Sequence, residues 1–214
     1  NKLLLQVERG LKVDPDALLF VMIHRVTEQK GFQLLLEASE GIFRTLGFQG
    51  IIGGAAAAGD ARGEEIVRGL LQLGAYYPGR ASVRVGFQDM SAPLLGADIF
   101  LMPSLHEPGG IAQLEAFACG CFVVARATGG LRDTVLNLRI EGRKLEGNGF
   151  LFSDYAAWAL YDAMHRCHNF LTGLDERMVE RARRTLTRSV YDWRAPAKRY
   201  VDELYETKEV IHAR

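Results

Sequence analysis

The residues best suited to chemistry crowd into residues 100–135, FLMPSLHEPGGIAQLEAFACGCFVVARATGGLRDTV. Glu107 stands beside Gly109 and Gly110, Glu115 follows eight positions after Glu107, and Thr128, Gly129 and Gly130 form the next small-residue turn. The stretch reads as strand, loop, helix, strand, loop, helix. Parallel α/β sheets bind ligands at the carboxyl ends of their strands, where loops and helix N-termini present backbone N–H groups. A carboxylate next to paired glycines at such a place suits a polyhydroxylated ligand joined to phosphate, because glycine lets the backbone approach and the helix dipole favours the anion. Taken alone, Glu107 also reads as a carboxylate merely stabilised near a helix start, and Thr128–Gly130 as a plain tight turn.

Other candidates are scattered. Arg25 and Lys30 flank a turn in HRVTEQKGF; spacing alone makes them a solvated cation and a lysine in a first helical turn. Phe87, in VGFQD, offers a flat ring that serves either as a platform for a nucleotide base or as core packing. His24 and His106 stand without an orienting carboxylate, so structural or hydrogen-bonding roles are expected. His165 and His168 have metal-capable helical spacing but no further ligands.

The elements that must position these residues follow from apolar patterning. Leu18–Ile23 is a continuous apolar run, as a strand buried on both faces should be. A helix is expected over Phe32–Leu46, a strand over Phe48–Ile52 closed by Gly53-Gly54, a helix over Glu64–Leu73 and a strand over Ser82–Val85. A short helix near Ser91–Leu95 leads into a strand at Ile99–Met102, then a helix near Ile111–Cys119, a strand at Phe122–Ala125 and a short helix from Leu131. Phe150–Phe152 reads as the last strand, and helices with turns near Gly173 and Trp193–Pro196 follow from Tyr155 to about Glu206. RIEGRKLEGN, residues 139–148, reads as a mobile surface connection. Strands alternating with helices specify a Rossmann-like, doubly wound parallel sheet of about six strands with extra C-terminal helices. The expected division is a leading segment at 1–17, a Rossmann-like ligand-binding domain at 18–190 and a C-terminal helix at 191–214.

Met102, Pro103, Ser104, Glu107, Pro108, Gly110, Gln113, Leu114, Gly120, Arg126, Thr128–Leu131 and Asp133–Val135 are, in order and register, those of MPS-x-x-EPCG-x-x-QL and R-x-TGGL-x-DTV. The segment thereby resembles the donor half of bacterial glycogen and starch synthases, retaining GT-B glycosyltransferases. Arg25, Gln29, Lys30 and Gly31 match that family's R-[LV]-x-x-QKG. The opening NKLLLQVERGLKVD resembles its linker into a second domain, and Ser189–Tyr200 its FSW-x-x-x-A-x-x-Y end. Gly109 stands where the family has Cys, and Leu105-His106 replace its Arg-Phe. Glu115 stands where many of these synthases carry Tyr, restoring the E-x7-E pattern of the wider retaining GT-B group. Gly53-Gly54-Ala55 resembles an LG-x-GD turn with Asp60 displaced.

The resemblance implies roles. Arg25 and Lys30 grip the donor diphosphate and offset the charge of the leaving nucleoside diphosphate. Glu107 bonds the hydroxyls of the donor glucose, with Gly109 and Gly110 contributing backbone contacts. Glu115 faces the ribose, Thr128–Gly130 receive phosphate, and Phe87 stacks on the base. No catalytic nucleophile is assigned. The implied reaction moves glucose from ADP-glucose, or UDP-glucose, to the 4-hydroxyl at the non-reducing end of an α-glucan. No cofactor or metal is expected beyond the nucleotide-sugar itself. Because Asn1 begins the chain without Met, an excised C-terminal domain is expected, with the missing N-terminal domain holding the glucan acceptor and the other cleft wall. Two rivals remain. One is the donor domain of another E-x7-E glycosyltransferase making an oligosaccharide, glycolipid or disaccharide. The other is a non-catalytic nucleotide-sugar or glucan-binding module.

Composition sets the bounds. The 214 residues are 48% apolar, and 26 Lys plus Arg balance 26 Asp plus Glu, so neither nucleic acid nor an anionic membrane is implied as a partner. Cys119, Cys121 and Cys167 form no metal or disulfide pattern, which suits a reducing cytoplasm. No signal peptide or membrane-length apolar run is visible. As loop cations, Arg25 and Lys30 are expected to matter to binding and little to stability.

Overall fold

In the computed structural model, residues 1–141, 144–188 and 194–205 are described. The elements, in chain order, are α1 (Lys2–Glu8), β1 (Leu19–Ile23), a 3-10 turn at Glu28–Lys30, α2 (Phe32–Glu40) and β2 (Gln49–Gly54). Next come α3 (Ala61–Tyr76), β3 (Ala81–Val85), α4 (Ser91–Gly96), β4 (Ile99–Met102), α5 (Ala112–Ala118), β5 (Phe122–Arg126) and α6 (Gly130–Thr134). A small antiparallel hairpin, β6 (Arg139–Glu141) with β7 (Lys144–Glu146), precedes β8 (Gly149–Phe152), α7 (Ala157–Thr172), α8 (Glu176–Arg188) and α9 (Arg194–Tyr200).

Six strands pair in parallel in the order β3-β2-β1-β4-β5-β8, with helices around them: the expected doubly wound Rossmann-like sheet. The central strands β1 (LFVMI) and β4 (IFLM) are buried at every position, which is why the sequence shows unbroken apolar runs there and not alternation. Phe20, Phe43, Phe48, Phe100, Phe117 and Phe122 are fully buried, each stabilising the fold by about 1.5–3 kcal/mol relative to exposure. The edge strand β3 is exposed over Arg84 and Val85.

Several expectations need correction. The helix expected to run to Leu46 loosens after Glu40 into a wider π-type turn at Gly41–Thr45. Gly53 and Gly54 do not close β2; they pair with Arg84 and Val85 as part of it. Asp60 is the N-cap of α3, its carboxylate accepting from Gly63 N–H at 3.0 Å, which starts that helix earlier than apolar periodicity indicates. The polar 139–148 segment is a hairpin and not an unstructured connection, held in part by Arg139–Glu146 at 2.8 Å. Residues 189–193, which carry the start of the FSW-like tail and the Trp193 turn, lie outside the described residues.

Residues 2–8, expected within a linker, form a helix seated on the domain. Gln6 is fully buried and donates to Gln49 Oε1 at 2.8 Å and to the Asp14 carbonyl at 2.7 Å. Lys2 pairs with the buried Asp98 at 2.7 Å. Asp98 also accepts from Leu19 N–H at 2.9 Å and from Arg183 of α8, so one carboxylate ties α1, β1 and α8 together. Among the described residues no helix is long and apolar enough to cross a membrane.

Candidate functional site

The strand order reverses between β1 and β4. The chain runs outward from β1 through β2 and β3, then returns to β4 and builds the other half. Pairing of β1 with β4 ends at Val21 and Phe100, whereas β1 follows β2 through Ile23. The two strands therefore part toward their carboxyl ends, and a crevice opens where such sheets bind ligands. His24 bridges the parting strands: its Nε2 lies 2.9 Å from the Leu101 carbonyl. A carbonyl can only accept, so Nε2 carries the proton. The imidazole packs near Phe100 (5.1 Å) and Phe32 (6.3 Å) between ring centres. Burial lowers its pKa to about 4, so it is neutral at physiological pH.

Two loops enter this crevice from either side, and a third backs them. Lys30, from the turn after β1, donates to Glu107 Oε2 at 2.5 Å, and their side chains are only 13% and 11% exposed. Ser104, fully buried, donates to the same oxygen at 3.3 Å. Gln29 holds the loop after β4 at two points, its carbonyl accepting from Leu105 N–H and its side chain donating to the His106 carbonyl, both at 2.8 Å. From the third loop, after β5, Gly130 N–H donates to the Glu107 and Pro108 carbonyls, each at 3.1 Å. Arg126 donates to the Leu105 carbonyl at 2.8 Å and lies over the Tyr155 ring at 5.4 Å.

Two glycines make this closeness feasible. Gly31 has φ +75°, and a Cβ there would sit 2.1 Å from the Pro103 carbonyl oxygen. Gly129 has φ +44°, and its Cβ would sit 2.1 Å from the Glu107 carbonyl oxygen. Any side chain at either position forces backbone apart. Gln113, fully buried in α5, donates to the Gly110 carbonyl and to Thr134 Oγ1, both at 3.1 Å, and so shapes the Gly109-Gly110 turn against α6.

Of the residues singled out from sequence, Lys30 and Glu107 meet directly. Arg25 is exposed, with no hydrogen bond or ion pair among the described residues. Gly109 is exposed and open on its side-chain face. Glu115 is exposed on the first turn of α5, sharing a face with the exposed Ile111. The N–H groups of Thr128 and Gly130 are engaged inside the loops, with the Arg126 carbonyl and with Glu107 and Pro108 respectively. Phe87, beyond the end of β3, is 94% exposed, which removes core packing as its role. Lys30, by contrast, is no free loop cation. Sequence reasoning gave no roles to Ser104, Gln29, Gln113, Arg126 and Tyr155. The first four sit in the matched motifs, and the signal was there: polar side chains inside otherwise apolar or glycine-rich segments need partners.

A family model described as "Glycosyl transferases group 1" matches residues 7–185. Among solved structures, the chain is similar to the catalytic domain of starch synthase IV from Arabidopsis thaliana bound to ADP and acarbose, at 28% identity and TM-score 0.77 over 96% of this chain. It is also similar to sucrose-phosphate synthase from Thermosynechococcus elongatus, at 25% identity and TM-score 0.66 over 93% of this chain. Anabaena HepE in complex with UDP, 20% identical with TM-score 0.69 over 96% of this chain, shares the fold. The chain spans 41%, 47% and 52% of those three chains.

Proposed function

Because the chain belongs to the group 1 glycosyl transferases, we propose that it is the donor-binding half of a retaining α-glucosyltransferase of the glycogen and starch synthase type. The proposed reaction transfers glucose from ADP-glucose, or UDP-glucose, to the non-reducing end of an α-1,4-glucan. The observation that carries this reading is the Lys30–Glu107 pair at 2.5 Å in the switch-point crevice. It sets a cation suited to the donor diphosphate against a carboxylate suited to the sugar. The similarity to a starch synthase solved with ADP supports the same reading.

In this proposal Arg25 and Lys30 take the diphosphate. As the bond from the anomeric carbon breaks, its electron pair moves to the diphosphate oxygen, and the two cations stabilise that growing charge. The sugar passes through an oxocarbenium-like state. Glu107 holds the glucose hydroxyls while Lys30, Ser104 and the Gly130 N–H hold the Glu107 residue itself. Backbone at Gly109 and Gly110 approaches the sugar and phosphate. Gly129 lies beside them, and Thr128 and Gly130 support the loop. Glu115 takes the ribose, and Phe87 the base. The proposed donor needs no metal because the cations do that work. The acceptor glucan and the opposite cleft wall come from the half of the enzyme outside this chain.

One feature favours a second reading within the family. Glu115 and Gly109 depart from the glycogen and starch synthase motif toward the wider E-x7-E pattern, and a sucrose-phosphate synthase is also similar. Calorimetric titration of the chain with ADP, UDP, GDP, ADP-glucose and UDP-glucose separates the two. A preference for ADP and ADP-glucose fits the glucan synthase reading, a preference for UDP and UDP-glucose leaves only its UDP-glucose form beside the second reading, and a preference for GDP overturns it.

A further inference from the structure

Between α2 and α3, with Glu28 of the Glu28–Lys30 turn in its lining, lies a cavity of about 420 Å³. Its floor is apolar, made by Leu36, the buried Ile66 and the bare backbone of Gly69. Gly69 is inside a helix of 16 residues, where glycine is less favourable than alanine. A Cβ there would come within 2.9 Å of Leu36 Cδ1, so the glycine lets the floor lie close. Its rim is polar and its charges cancel. Arg62 and Glu65 pair with each other at 2.5 Å. The side chains of Glu28, Arg68 and Gln72 form no hydrogen bond or ion pair among the described residues.

That lining selects a chemical class. An anion would face Glu28 and Glu65, and a cation would face Arg62 and Arg68. A purely apolar ligand would strand the polar rim. A saccharide presents hydroxyls that both donate and accept, on a ring whose C–H faces lie against an apolar floor, and it carries no charge. The cavity also adjoins the turn that carries Lys30. The Glu28 carbonyl accepts from Gln33 Nε2 at 3.1 Å and from the Tyr155 hydroxyl at 3.2 Å. The same turn carries Gln29 and Lys30, which hold the Glu107 loop.

We propose that this cavity is a second saccharide-binding site, distinct from the donor crevice and backed onto the turn that carries Lys30. The choice of an α-1,4-glucan probe rests on the proposed function; the cavity chemistry does not. The test is calorimetric titration of the 214-residue chain with maltotriose and, separately, with inorganic phosphate and ADP, in wild type, Arg68→Ala, Gln72→Ala and Arg25→Ala. Arg68 and Gln72 are exposed, so their variants keep the fold. Maltotriose is expected to bind wild type and Arg25→Ala alike, and about tenfold or more weakly to Arg68→Ala and Gln72→Ala. ADP is expected to bind Arg68→Ala as it binds wild type. The proposal is overturned if maltotriose does not bind, if its affinity is the same in all four chains, or if phosphate is the ligand that Arg68→Ala loses. A chain that binds ADP but not maltotriose sinks this site and leaves the donor reading standing. A chain that ignores ADP yet loses maltotriose in Arg68→Ala supports this site alone.

Discussion

Glu107 is held at one carboxylate oxygen by Lys30 and Ser104 and at its backbone by Gly130. The Lys30 pair is largely shielded, so removing the lysine leaves a partly buried carboxylate without its cation. Losses of about 3 kcal/mol are typical of that situation. Lys30→Ala is therefore expected to lower stability in urea denaturation as well as ADP affinity, whereas the exposed Arg25→Ala lowers affinity alone. Equal stability of both variants would show that the ion pair contributes nothing. Glu107→Gln keeps the shape and a neutral partner for Lys30, and is expected to leave ADP affinity nearly intact. In an enzyme joined to its other half it should depress turnover far more than donor KM, the mark of a transition-state contact. Glu115→Ala should weaken ADP and ADP-glucose equally, by about 1.5–3 kcal/mol. Normal ADP binding by Glu115→Ala would remove Glu115 from the ribose.

His24 makes a prediction in pH. Its folded pKa of about 4 lies below the ordinary value near 6.5, so as pH falls the unfolded chain takes up a proton first. Stability carried by the neutral ring is complete above pH ~6.5 and is lost as pH falls toward about 4, by on the order of 3 kcal/mol. His24→Gln keeps an N–H donor for Leu101 without the titration. Denaturation measured at several pH values should show an acid slope in wild type that is shallower in His24→Gln. Parallel slopes would mean that His24 titrates normally.

At the scale of elements, the crevice exists because three loops interlock, their backbones meeting closely where Gly31 and Gly129 carry no side chain. Gly129→Ala puts a Cβ against the Glu107 carbonyl oxygen and requires a left-handed conformation that alanine resists. It should weaken nucleotide-sugar binding by moving the Glu107 loop, and chemical shifts of both loops should change together. A change confined to residues next to position 129 would contradict the interlock. Asp98, by contrast, ties α1 and α8 to β1 on the other side of the molecule. Asp98→Ala removes the carboxylate from Arg183 and the Leu19 N–H and leaves Lys2 with backbone carbonyl acceptors alone, and should cost about 3 kcal/mol or more in stability with ADP affinity unchanged. Apolar runs located the six strands of the parallel sheet within a residue or two, most directly β1 and β4, where burial on both faces leaves no other pattern. The same reasoning missed what polar atoms decide: the Asp60 cap, the 139–148 hairpin, and Gly53-Gly54 inside a strand. Within the site, the motif spacing marked Glu107 and Lys30 separately. Their contact is a tertiary fact: the two residues are 77 apart in the chain but follow β1 and β4, which are adjacent in the sheet.

At the scale of the whole molecule, the chain spans under half of the starch synthase and sucrose-phosphate synthase chains it resembles. Fold class was legible because alternating strand and helix patterns admit few topologies. Donor base and acceptor were not, because an exposed ring such as Phe87 and a surface acid such as Glu115 leave no mark in the packing pattern. In the proposed function Arg25 and Lys30 together bind a nucleoside diphosphate at the switch point. This binding is tested most directly by calorimetric titration of ADP into wild type and the Arg25→Ala, Lys30→Ala double variant. Wild type is expected to bind with micromolar to millimolar affinity, roughly −4 to −8 kcal/mol. The double variant, its folding checked by circular dichroism, should lose about 3 kcal/mol or more of it. A folded double variant that binds ADP as tightly as wild type would contradict the account.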